Sequence, residues 1–106
     1  MKHLRSISTA LLLASVVGCT RSVVLSAEDG SRSLRYQCGR VEPRAETIED
    51  LQIVGRYVQP VGAHAVDHGR LSSAAALRDA FQARDYGTME LVVVQYICQH
   101  GYPDDL

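Results

Sequence analysis

Apolar positions fall into blocks along this chain, and the spacing within each block predicts a different element. In the first, Ile7 to Val17, Leu11, Leu12, Leu13, Ala14, Val16 and Val17 are interrupted only by small residues. It is shorter than the roughly 20 residues that a membrane-spanning helix needs. Thr20 to Ser33 is polar apart from Val23-Val24-Leu25, and residues 19–33 read as a flexible tether carrying at most a brief strand. Leu34-Arg35-Tyr36-Gln37-Cys38 then alternates apolar with polar and halts at Gly39, the two-residue period of a strand.

Helical spacing begins beyond Pro43. Thr47-Ile48-Glu49-Asp50 has the form of a helix start, with Thr47 as N-cap and Asp50 in the first turn, ahead of Leu51, Val54 and Val58. Gly55 interrupts this segment, and Ile53, Val54, Tyr57 and Val58 suit a strand as readily, so 47–58 stays open with helix preferred. Pro60, Gly62 and Gly69 punctuate the next stretch and predict a loop from Pro60 to Gly69. The clearest helix lies beyond it, with Ser72 or Ser73 as cap, Ala74, Leu77, Ala80, Phe81 and Arg84 at helical spacing, and Gly87 as stop.

From Thr88 to His100 the side chains and the punctuation disagree. Leu91 to Cys98 is β-branched and aromatic, as in a buried strand. Thr88 suits an N-cap, Glu90 a first turn, His100 a last turn, and Gly101 with Pro103 a helix exit. The bracketed length favours helix, since strands average about 5–6 residues. The whole pattern predicts a small α+β or mainly α domain over 34–106, one or more short N-terminal strands followed by two or three helices.

The N-terminus carries a resemblance. Met1-Lys2-His3-Leu4-Arg5 is a short basic head, the apolar run comes directly after it, and the run closes on Val16-Val17-Gly18-Cys19. This resembles the signal and lipobox of prokaryotic lipoproteins, with Val16 where Leu is commonest. The resemblance implies that residues 1–18 are a cleaved signal peptide and that Cys19 takes a diacylglycerol and becomes the new N-terminus. A second acylation implied by the class makes the anchor durable, because one chain binds only marginally. Thr20 stands where the class reads Asp as inner-membrane retention, which favours an outer-membrane lipoprotein facing the periplasm.

Removal of 1–18 takes Lys2 and Arg5 with it, leaving nine basic residues, all arginines, against all twelve acidic ones, a formal charge of −3. The arginines are scattered singly from Arg21 to Arg84, without the clustered basic surface that nucleic acid calls for. With Cys19 committed to lipid, Cys38 and Cys98 are left as one pair in a compartment where disulfides persist. A bridge between them closes a loop worth roughly 4 kcal/mol on the chain-entropy model. Neither cysteine has the spacing of a metal-binding or redox pair.

Candidate chemistry is sparse. His64-Ala65-Val66-Asp67-His68 places two imidazoles at i and i+4 with a carboxylate at i+3, a spacing that on a helix could ligate zinc or copper through His64, Asp67 and His68. It resembles the His-x-x-Glu-His pattern of some zinc peptidases with Asp for Glu, and the flanking glycines favour a solvated loop instead. His100 is a possible third ligand, or a charge at a helix C-terminus. Ser72 and Ser73 lack the Gly-x-Ser-x-Gly setting of an activated nucleophile. Glu49-Asp50 and Asp104-Asp105 read as solvated faces. Five tyrosines suit half-buried positions, in a small core or at a partner surface.

Leu34-Arg35-Tyr36-Gln37-Cys38-Gly39 resembles the opening strand of small periplasmic lipoproteins that inhibit C-type lysozyme. That family is an antiparallel β-barrel, from which the helical Ala74–Arg84 segment departs, so no inhibitory residue carries over. The expectation that remains is a membrane-anchored, non-enzymatic binding module of the cell envelope without a cofactor. Such a module is an inhibitor, an immunity or exclusion factor, or an accessory subunit of an envelope complex, held through its lipid and a protein partner. A metal-binding envelope lipoprotein is the alternative.

Overall fold

The computed structural model describes residues 21–104. The expected signal peptide 1–18, Cys19 and Asp105 lie outside the described residues. Strand β1 (Ser22–Ser26) pairs antiparallel with β2 (Ser33–Gln37), with Val23 opposite Tyr36 and Leu25 opposite Leu34. Side chains alternate across a strand, so Val23, Leu25 and Tyr36 bury one face together while Arg35 and Gln37 stay exposed. Where a flexible tether over 19–33 is expected, β1 already begins at Ser22 and the 27–32 turn closes a hairpin, with Gly30 at φ 75.

Helices α1 (Ile48–Asp67), α2 (Leu71–Ala83) and α3 (Tyr86–His100) complete the domain. The helix preferred for 47–58 is present and starts at the predicted cap. The Thr47 hydroxyl accepts from Asp50 N at 3.1 Å and Asp50 Oδ2 accepts in return from Thr47 N at 3.3 Å.

The loop predicted from Pro60 to Gly69 is overturned, because α1 runs through Pro60 to Asp67. A helix-interior proline costs about 3 kcal/mol. Against this, Val54, Tyr57, Val61 and Ala65 form an unbroken buried stripe, and burying one such valine returns roughly 1.5–3 kcal/mol. Tertiary burial outweighs the local breaker.

The later boundaries also shift. Helix α2 begins after Arg70, which makes no side-chain cap, so Ser72 and Ser73 lie in its first turn rather than capping it. Its stop is Arg84 in the left-handed conformation at φ 58, with Asp85 N donating to Ala80 O at 2.8 Å, and not Gly87. Gly87 and Thr88 fall inside α3, whose cap is Asp85: its carboxylate accepts from Thr88 N at 3.2 Å and from the Thr88 hydroxyl at 2.7 Å. The helical reading of 88–100 holds, with exit at Gly101.

The sheet and all three helices share one core, centred on Leu25, Tyr36, Val54, Val61, Val93 and Ile97. The Cys38–Cys98 disulfide joins the end of β2 to the last turn of α3, with Cα atoms 5.5 Å apart. Two strands, three helices and one bridge make the small α+β domain that the pattern predicts.

Candidate functional site

Continuing α1 to Asp67 places Gly55, Gln59, Gly62 and Val66 at helical spacing on one stripe that faces α2. Gly62 lies against α2, where a Cβ would make an ordinary contact with Leu77 Cδ2 at 3.8 Å. Gly55 faces open space. Between α1 and α2 lies a groove of about 820 Å³, floored by the buried Leu77 and Met89 and walled by Val66, Leu71, Ala74 and Phe81.

Val66, Leu71 and Phe81 are 56, 64 and 63% exposed. They are half of the large exposed apolar side chains among the described residues, and they lie together, as at interaction surfaces, rather than singly. Arg78 stands at the rim, paired with Asp79 at 3.3 Å. The periodicity of α2 is enough to place Phe81 on that helix; Val66 is hidden from such a reading because its own segment has the punctuation of a loop.

The three C-terminal histidines gather around Tyr96. His64 and His68 stack with ring centroids 4.0 Å apart, and His100 lies against Tyr96 at 4.6 Å. His64 Nδ1 meets the Tyr96 hydroxyl, and His68 Nδ1 lies 2.9 Å from the carbonyl of His64. Arg70 Nη1 also donates to the Tyr96 hydroxyl, at 3.3 Å. Asp67 stays exposed and hydrogen-bonds to neither ring. Two imidazoles therefore come together with their Nδ1 atoms already engaged, and among the described residues no group of three or more His, Cys, Asp or Glu is arranged around a metal position. Burial first, then the charge of Arg70, His64 and His68, pushes the His100 pKa below its ordinary value.

Two carboxylates have been drawn into the fold. Glu90 is 1% exposed, and its Oε2 accepts from the Tyr36 hydroxyl at 2.6 Å, Arg44 N at 2.6 Å and Ala45 N at 2.9 Å. Asp50 is 4% exposed, so the solvated Glu49-Asp50 face is corrected for Asp50. Besides capping α1 it accepts from Glu46 N at 3.0 Å and pairs with Arg32 at 2.8 Å, and these partners hold its pKa down to about 2. Both carboxylates are spent on backbone amides, which is structural work. No acid or imidazole hydrogen-bonds to the hydroxyl of Ser72 or Ser73 among the described residues. Tyr36, Tyr57 and Tyr96 are buried, whereas Tyr86 and Tyr102 are about half exposed.

Comparison with protein-family models, with curated proteins and with solved structures finds no match to this chain.

Proposed function

We propose that this chain is an envelope lipoprotein, anchored through Cys19, whose domain is a non-enzymatic binding module. The α1–α2 groove is its surface for an apolar helix of a protein partner. The observation that carries the reading is the gathering of Val66, Leu71 and Phe81 along one groove. Helix α2 has 13 residues and is therefore about 20 Å long, which suits roughly three to four turns of an amphipathic helix laid beside it. The reading covers an inhibitor, an immunity or exclusion factor, or an accessory subunit of an envelope complex.

The anchor adjoins the first strand. Cys19 precedes Ser22 by three residues, so at about 3.5 Å per residue a lipid on Cys19 lies within roughly 11 Å of β1.

Labelling with a palmitate analogue tests the anchor: incorporation is expected in the full chain and lost in Cys19→Ala. A photo-crosslinking residue at position 71 or 81, introduced in the producing cell, tests the groove. One discrete adduct, absent when the crosslinker is moved to Gln52, is the expected result. Equal, diffuse labelling from both positions overturns the groove, and an adduct of two copies of this chain replaces the partner by a homodimer.

A further inference from the structure

The two strands leave their outer edges in different states. On β1, the Tyr102 hydroxyl accepts from Val24 N at 2.9 Å and donates to Val24 O at 3.0 Å. The Tyr57 hydroxyl accepts from Ser26 N at 2.9 Å, and Arg56 Nη1 donates to Ser26 O at 2.9 Å. Side chains thus close that edge. Because Val24 and Ser26 turn their amides and carbonyls away from β2, their register partners Arg35 and Ser33 turn theirs away from β1. Those groups are exposed and have no hydrogen-bond partner among the described residues.

The chain that runs beside β2 could have completed the sheet, but its donors are committed elsewhere. Arg44 N and Ala45 N bind Glu90, Glu46 N and Thr47 N bind Asp50, and Pro43 has no amide. An open cleft of about 700 Å³ therefore remains between β2 and residues 43–46. Its charge is mostly positive. Arg32 is neutralised by Asp50, and Arg35 and Arg44 line the cleft with no ion-pair partner among the described residues, against Glu46 alone. Arg35 Nη1 donates only to the Ser22 hydroxyl of β1, at 3.1 Å, an exposed contact that a carboxylate in the cleft would replace.

We propose that β2 is a docking edge for an extended, acidic segment of a partner protein, which adds as a third strand. Its backbone bonds to Ser33 and Arg35, and its carboxylates lie against Arg35 and Arg44. Main-chain hydrogen bonds supply the affinity in this mode and side chains the selectivity. A second copy of the chain fits less well, because two β2 strands paired about Arg35 set like charges directly opposite each other. The surface is separate from the α1–α2 groove, and the inference stands independently of it.

The probe is a ten-residue peptide of alternating Glu and Val, titrated into the protein with Cys19→Ser and followed by NMR and amide exchange. Binding is expected to slow exchange of the Ser33 and Arg35 amides at least tenfold. The Lys/Val counterpart is expected to bind at least tenfold more weakly, and N-methylation of alternate Glu/Val residues to abolish binding. Arg35→Glu, on the exposed sheet face, is expected to keep the fold and invert the preference. Unchanged exchange at Ser33 and Arg35, or equal binding of the Glu and Lys peptides, overturns the proposal. Protection of these amides in a dimer without peptide overturns it in favour of self-pairing.

Discussion

The Tyr36 hydroxyl donates to Glu90 Oε2 at 2.6 Å inside the core, tying the second strand to the last helix. The same oxygen takes the amides of Arg44 and Ala45, so one carboxylate fixes three parts of the chain. Glu90→Ala strands one hydroxyl and two amides, and unmade buried hydrogen bonds cost about 1–3 kcal/mol each. A loss of about 3 kcal/mol or more in urea unfolding is expected. Tyr36→Phe leaves both amides paired and costs only about 1–2 kcal/mol.

The alkaline limb of stability reports the same pair. Burial, then the bond to Glu90, raises the Tyr36 pKa above its ordinary 10.0. The unfolded chain therefore loses this proton first, and stability present below pH 10 declines as pH rises beyond it. Melts between pH 9 and 11 should show the decline, and Tyr36→Phe should lack this component.

On the acid side His100 and Asp50 act in separate windows. The lowered His100 pKa means that the unfolded chain protonates first, so stability begins to fall as pH drops through 6.5 toward the folded value. Arg70, His64 and His68 face the ring and make its protonation unfavourable. Asp50 adds a further loss between pH 3.8 and about 2, as the carboxylate leaves Glu46 N and Arg32. Melting temperature against pH should show both steps, His100→Gln flattening the upper one and Asp50→Asn the lower.

Legibility in the sequence varies along the chain. The alternation at 34–38 and the capping residues at 47–50 are local signals, and the structure follows them. Residues 60–69 mislead because proline and glycine are also local signals, whereas the burial of Val61 and Ala65 depends on a core assembled from distant parts of the chain. Punctuation places Glu90 in a first turn, but the burial of its carboxylate under Tyr36 depends on contacts 54 residues apart. The groove needs two helices side by side, and local signals give only one of them near its full length.

Pro60 supplies a direct test of that tertiary override. It interrupts the α1 hydrogen-bond ladder without ending the helix. Pro60→Ala supplies an amide that can bond to the Arg56 carbonyl, and stability should rise by about 1–2 kcal/mol, less than the full cost of a helix-interior proline. A loss of stability would mean that the proline ring is itself needed beside the buried Val61.

Phe81 and Leu71 separate binding from folding. Both are more than 60% exposed, so Phe81→Asp and Leu71→Asp should change unfolding free energy by no more than about 0.5 kcal/mol. An interface used in the cell gives the opposite balance, since hydrophobic anchors at the centre of an interface commonly cost about 2 kcal/mol or more when lost, roughly thirtyfold in affinity. Binding of a hydrophobic dye by the folded domain should fall in both variants, and the crosslinked adduct should disappear with either. If stability drops by several kcal/mol instead, the two side chains belong to the core and the groove is packing rather than a surface for a partner.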